Sequence, residues 1–410
     1  MKKRRHLKKS VKIFFAFLSL IIIIIIFIPK KEKVLMKSFI NKDREEIIEF
    51  CKINNCEVNI SYEYDADIEK DKIIKQDKEV DTVLNKKEKI NIVVSKGIDY
   101  QVYSQYNVNE LGRIPVMMYH GIIDMKSDET NYTGGNVDKD GYQRTYEAFE
   151  KDLEFYYQSG YRMIRLNDYV NGKIDCELGK SPIILTFDDG LKNALKVTGL
   201  DDKGNIIIDP HSAIGILESF KKKYPDYNVT ATFFINGGLF QQKDYNDKII
   251  KWMIDNGYDI GNHTYSHADL TKTTVEGTIK EVGRMYKVLK SKTDKFVNIV
   301  ALPFGTPYNS THENFKHILS GTYEGEEYST ISTLRVGWES DYSPFSTSFT
   351  PNFIKRIRAY DNNGKDFDID YNFKFLESRK YISDGNPNTI VVKKDNLSKI
   401  KETNLKIISY

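Results

Sequence analysis

The sequence predicts an α/β fold on a largely parallel sheet, preceded by a small α+β module and a transmembrane helix. Three observations carry this. From about residue 112 onward, short apolar runs alternate with amphipathic helical stretches, the order that places helices outside a parallel sheet. Between residues 38 and 97, one helical stretch is followed by alternating apolar and polar residues. Residues 13–29 carry no charge and include six consecutive isoleucines, Ile21 to Ile26. The 410 residues, 40% hydrophobic and 29% charged, have room for two or three domains and exclude collagen, a pure coiled coil and wholesale disorder.

Residues 1–12 form a basic head with Lys2, Lys3, Arg4, Arg5, Lys8, Lys9 and Lys12. The apolar stretch 13–29 is at the short end of what spans a bilayer. Phe27-Ile28-Pro29-Lys30 offers no small-residue cleavage site. The segment therefore reads as an uncleaved signal anchor with its head in the cytoplasm; a cleaved signal peptide is the alternative. In both cases the rest of the chain is exported. Residues 1–33 hold 10 of the 61 Lys and Arg but one of the 58 Asp and Glu, which leaves 51 basic against 57 acidic residues beyond them. That mildly acidic body excludes nucleic acid as a partner. Three cysteines exclude a disulfide framework. Cys51 and Cys56 read as small buried hydrophobes, with a mutual disulfide as the alternative.

In the module, Asp43-x-x-Glu46 predicts a capping box ahead of Ile47, Phe50, Cys51 and Asn54 at helical spacing. Val58, Ile60, Tyr62 and Tyr64 alternate as a half-buried strand does, as do Ile90, Ile92 and Val94. Residues 98–111 read as a linker. In the main domain, strands are expected at 114–119, 183–187, 229–235 and 297–302. Helices are expected at 146–157, 212–223, 248–256 and 275–290. Residues 363–410, with the apolar run Thr389 to Val392, read as an edge extension.

Reactive groups in such a fold belong at the C-terminal ends of strands. Asp188 and Asp189 follow the apolar run ending at Phe187, and Gly190 permits a tight turn. Neighbouring strand residues face opposite ways, which suggests two different tasks. His263 and His267 are four apart; on one helical turn they share a face and reach one ion. With one carboxylate they make a ligand set with open positions. His312 and His317 read as surface residues.

Thr186-Phe187-Asp188-Asp189-Gly190 together with His263-x-x-x-His267 resembles the NodB-type polysaccharide deacetylases, carbohydrate esterase family 4, over residues 112–362. The resemblance implies a distorted (β/α) barrel in which Asp189, His263 and His267 hold a divalent metal and Asp188 is the base. Zinc is the expected ion, with Co²⁺, Mn²⁺ or Ni²⁺ as alternatives. Two departures stand out. Ala301-Leu302-Pro303-Phe304 puts Ala301 where the family carries an arginine that orients the base, and no histidine follows His317 to serve as acid. The subgroup acting on poly-N-acetylglucosamine resolves the second: Met118-Tyr119-His120-Gly121-Ile122 matches its Tyr-His-x-Ile. This implies that His120 is the acid, with Tyr119 beside it in the groove. Phe304 is implied to offer a backbone N–H to the oxyanion, and Trp338, followed by Asp341, to wall the groove. Residues 38–97, closing on Ile90 to Gly97, resemble a PASTA module without its usual internal glycines and prolines. That implies a place at the cell wall, with a plain spacer as the alternative.

These readings imply an enzyme of the bacterial cell membrane, single-pass, with its main domain facing the wall. Its expected task is removal of acetyl groups from N-acetylglucosamine of wall glycan, with peptidoglycan ahead of the exopolysaccharide. A catalytically silent wall-binding protein is the reading of another class, supported by Ala301, and an esterase for O-acetyl groups is a third.

Overall fold

The computed structural model describes residues 33–410. The expected anchor and basic head lie outside the described residues, among which no helix is long and apolar enough to cross a membrane. The chain divides into two compact units, 1–100 and 101–410.

In the first unit, helix α1 (Arg44–Asn54) buries Ile47 and Cys51, one turn apart. The expected capping box is not made: Asp43 occupies the N-cap, but its side chain accepts no cap hydrogen bond. At the other end Asn55 takes the left-handed conformation (φ 57°), and the Cys56 N–H donates to the Cys51 carbonyl at 3.0 Å. That cap folds the chain back over the last helical turn. It pairs Cys51 with Cys56 in a disulfide, Cα atoms 4.5 Å apart, against the preferred reading of two unpaired residues. Strands β1 (Glu57–Glu63), β2 (Ile73–Gln76) and β3 (Lys89–Ser95) form a sheet with β3 central, parallel to β1 and antiparallel to β2. Ile90, Ile92 and Val94 pack with Ile47 and Cys51 in one core. The alternation in β1 buries Val58 and Ile60 in part only and leaves Tyr62 and Tyr64 exposed.

The second unit is built on eight parallel strands: β4 (Val116–Tyr119), β5 (Tyr161–Met163), β6 (Ser181–Phe187), β7 (Thr232–Ile235), β8 (Asp259–Asn262), β9 (Ile299–Ala301), β10 (Ser332–Leu334) and β11 (Ile357–Arg358). Their order is β10-β9-β8-β7-β6-β4-β11, with β5 beside the first half of β6. Helices α2 (Tyr146–Gln158), α3 (Ala213–Lys223), α4 (Asn246–Asp255) and α5 (Val275–Lys292) cover the outside. Thr145, Ser212 and Thr274 cap three of them, each accepting from the N–H three residues on.

Strand parity sorts the side chains into two cores. Met117, Tyr119, Ile183, Leu185, Phe187, Phe233 and Ile260 pack outward against the helices. Val116, Ile184, Phe234, Ile299, Ala301 and Leu334 fill the inside of the curled sheet. The sheet curls far enough for residues 354–358 to stitch its seam: Ile354 bridges to Leu334 of β10, while Ile357 and Arg358 pair with Met117 and Met118 of β4.

Residues 363–410 belong to the second unit, as expected, whereas the expected linker differs from the structure. Glu110, placed by sequence in a linker, is buried; its carboxylate accepts from the Tyr381 hydroxyl at 2.8 Å and the Val391 N–H at 2.7 Å. Strand β12 (Thr389–Val392) does not extend the main sheet. It pairs in parallel with β13 (Lys406–Ser409) in a separate two-stranded sheet.

Candidate active site

A cavity of about 260 Å³ opens at the C-terminal ends of the parallel strands. His120, Asp188, Asp189, His263 and His267 line it, with Phe304 on its wall. Parity explains the selection. His120 and Asp188 continue the inward-facing series of β4 and β6, and His263 does the same one residue past β8.

Asp188 is buried, and its N–H donates to the Tyr119 carbonyl at 2.9 Å. The Arg356 guanidinium, itself fully buried, donates to both carboxylate oxygens, Nη1 to Oδ1 at 2.8 Å and Nη2 to Oδ2 at 2.7 Å. Nη1 also donates to Thr186 Oγ1 at 3.2 Å, and Nε to the Arg335 carbonyl at 2.7 Å. Burial alone would raise the Asp188 pKa, but Arg356 and then His263 outweigh it and hold the group well below the usual carboxylate range. This arginine is the functional residue that sequence reasoning missed. Ala301 faces the interior where the family's arginine would start, and Arg356 reaches the same carboxylate from the seam. Its signal was faint: a basic residue between Ile354 and Ile357 in a strand-like stretch. Gly337 makes the approach feasible, because a Cβ there would overlap the Arg356 carbonyl oxygen.

Asp189 leaves the strand in the left-handed conformation (φ 72°), followed by Gly190 (φ 60°), where a Cβ would overlap the Leu239 carbonyl oxygen. Its Oδ1 lies 3.2 Å from His263 Nε2 and 3.3 Å from His267 Nε2. The two histidines are not on a helical turn as expected. They sit on an irregular loop with Thr264 (φ 59°) and His267 (φ 57°) left-handed, which brings their rings to 4.8 Å. His263 Nδ1 donates to the Ala301 carbonyl at 2.8 Å. A carbonyl only accepts, so in the neutral ring the proton is on Nδ1 and the lone pair on Nε2. That Nε2 is buried without a hydrogen-bond partner. One atom from each of Asp189, His263 and His267 lies within 4.8 Å of the others. An orphaned lone pair aimed at a carboxylate and a second imidazole fits a divalent cation.

His120 stands across the cavity, edge-on to the Tyr142 ring at 4.8 Å, with Nδ1 buried and unpartnered. Burial lowers its pKa, opposed by Asp188 and Asp189. Tyr119, expected in the groove, is not there. As β4's neighbour of opposite parity it faces the helices, its hydroxyl donating to Asp152 at 3.1 Å and lying 2.9 Å from that of Tyr156. Phe304 is at the cavity in the left-handed conformation (φ 57°), half exposed, its ring 4.9 Å from His267. Trp338 is 61% exposed and does not line the cavity. Asp341 is buried away from it, its Oδ1 accepting from the Tyr342 N–H at 2.8 Å. His312 and His317 also lie outside it.

Residues 176–318 match the polysaccharide deacetylase family model, and residues 34–96 match the PASTA domain model. The chain carries a polysaccharide deacetylase domain. His120 and Arg356 both fall outside the matched span. Among relatives, the peptidoglycan-N-acetylglucosamine deacetylase PgdA of Listeria monocytogenes is 27% identical over 125 residues, 30% of this chain and 21% of that protein. The peptidoglycan-N-acetylmuramic acid deacetylase PdaA of Bacillus subtilis is 31% identical over 121 residues, 30% of this chain and 37% of that protein. The chain thus spans about a fifth to two-fifths of the relatives' length. The structure of the Streptococcus pyogenes deacetylase PplD, in complex with acetate, aligns with a TM-score of 0.45 at 19% identity, covering 62% of this chain and 94% of that one. The polysaccharide deacetylase domain here has the curled parallel sheet described above.

Proposed function

We propose that this protein removes acetyl groups from N-acetylglucosamine residues of cell-wall glycan, with peptidoglycan as the polymer. The observation that carries the reading is the convergence of an arginine-clamped Asp188, the Asp189–His263–His267 cluster and His120 on one cavity. Two relatives, PgdA and PdaA, are peptidoglycan deacetylases by name, and a stretch matching the PASTA domain model comes before, which supports a place at the wall. The uncharged stretch 13–29 supports an anchor that holds the enzyme on the outer face of the membrane.

Asp189, His263 and His267 would hold a divalent ion, for which one carboxylate and two imidazoles suit zinc. When bound, the ion polarises the acetyl carbonyl and acidifies water. Asp188 takes a proton from the attacking water as its oxygen bonds to the acetyl carbon. Arg356 keeps Asp188 ionised and fixes both of its oxygens, so no reorientation is needed. Protonated His120 gives its proton to the amide nitrogen as the C–N bond breaks, and the proton taken up by Asp188 then returns to His120, so both groups end as they began. The products are acetate and a free amine on the sugar. Phe304, on the cavity wall, is the residue proposed to offer its backbone N–H to the oxyanion.

Ala301 favoured a silent protein only while Asp188 lacked a guanidinium, and Arg356 removes that support. The test incubates the full-length chain with purified peptidoglycan and, separately, with poly-N-acetylglucosamine. Acetate release and loss of acetyl mass are measured, with Asp189→Asn as control. Release from peptidoglycan that the control abolishes is expected. Release from the exopolysaccharide alone overturns the polymer. No release from either, by folded and metal-loaded protein, overturns the activity.

A further inference from the structure

Arg358 is two residues past Arg356, so its side chain leaves the seam on the same, inward side. Its guanidinium carbon lies 3.9 Å from the centre of the Tyr360 ring and 5.3 Å from that of Tyr142. Tyr142 lines the cavity and abuts His120. Arg358 is half-buried, and among the described residues its head makes no ion pair and no side-chain hydrogen bond. The contrast with Arg356, whose donors meet Asp188, Thr186 and the Arg335 carbonyl, is sharp. A guanidinium is charged at every working pH, and aromatic faces satisfy its π surface while leaving its in-plane N–H donors open. A half-desolvated cation held in this way is prepared for an anion, and a carboxylate matches its fork.

We infer that Arg358 binds a carboxylate on the glycan beside the acetamido sugar, so that the enzyme selects an acidic acetylated glycan over a neutral one. This rests on the deacetylase reading and sharpens it. A muramic-type sugar supplies the group, through its lactyl carboxylate where no peptide is attached or through the carboxylate of a peptide on it, and a neutral poly-N-acetylglucosamine chain does not. The role is recognition, with Arg358 holding the chain that enters the cavity.

The test uses the full-length chain and oligosaccharides of one length. One carries the free lactyl carboxylate, one its primary amide, and a third a dipeptide on that carboxyl, which separates sugar-borne from peptide-borne charge. The parent is expected to favour a carboxylate-bearing ligand over the amide roughly tenfold or more in kcat/KM, mainly through KM. Arg358→Gln erases that ratio and Arg358→Lys keeps part of it. Equal kcat/KM for all three ligands in the parent overturns the proposal. So does Arg358→Gln lowering all three equally, which marks a residue that only packs Tyr142 against His120. Calorimetry on Asp188→Asn protein gives a readout independent of turnover. A tighter Kd for carboxylate ligands, lost when Arg358→Gln is added, supports the inference even if no acetate is ever released. Equal Kd values, or no binding of any of the three, overturn it.

Discussion

Two buried arginine–aspartate pairs flank strand β4, one inside the curled sheet and one outside it. Inside, Arg356 and Asp188 are both fully enclosed and doubly bonded. Outside, Arg144 Nη2 donates to Asp152 Oδ1 at 2.6 Å, and Tyr119 donates to its other oxygen at 3.1 Å. Their carboxyls diverge. Burial raises the Asp152 pKa despite Arg144, whereas Asp188 is driven the other way, because two imidazoles face it besides the guanidinium. The same residue pair thus holds one carboxyl that tends to keep its proton and one that is held ionised. The imidazoles beside Asp188 make the difference, and parity decides who meets that carboxyl: His120 turns in and Tyr119 turns out.

Four experiments break or sharpen this contrast. The largest effect on activity is expected from Asp188→Asn, which is close to isosteric: acetate release falls roughly 10²–10⁴-fold, and the thermal midpoint falls as well, because the buried Arg356 guanidinium loses its counter-ion. If activity survives within tenfold, Asp188 is not the base. Second, Arg356→Met leaves a buried carboxylate unpaired and costs about 3–5 kcal/mol in denaturant unfolding together with activity. Arg144→Met costs stability of the same order but leaves kcat within a few-fold once the protein is folded. Equal losses of activity in both variants would erase the distinction between the pairs.

Third, the buried Asp341 carboxyl is raised to about 7, chiefly by desolvation. The folded state therefore holds this proton more tightly than the unfolded chain does. The resulting stability is complete at pH below 4 and declines as pH rises toward 7, by about 4 kcal/mol at most. Asp341→Asn flattens that slope in pH-dependent melts; an unchanged slope assigns it to other groups. The smallest effect concerns the first unit. Reducing Cys51–Cys56, whose loop is short, lowers the stability of that unit by about 2 kcal/mol, while activity on a soluble oligosaccharide is unaffected. A loss of turnover on reduction contradicts this.

Much of the main domain was legible because its strands are short apolar runs with sharp ends. Asp188, Asp189, His263 and His267 were readable as motifs, since their chemistry needs neighbours close in sequence. The failures have physical causes. Tyr119 was assigned to the groove by motif adjacency, although alternation along β4 predicts the opposite side. The histidine pair was given a helical turn, but the loop reaches the same proximity through two left-handed residues. The disulfide turned on one αL residue, Asn55, which i, i+5 spacing does not announce. Arg356 was hidden because its partnership with Asp188 depends on how the sheet closes, which no local pattern records. Trp338 matched a motif by type, yet it stands in solvent off the cavity wall.

The seam segment 354–358 has a consequence for biogenesis. In chain order His120, Asp188 and the two histidines come well before Arg356. Until 354–358 bridges β10 to β4, Asp188 has no guanidinium partner. The clamp on Asp188 is therefore assembled only as the sheet closes, so folding of the seam and completion of the site are one event.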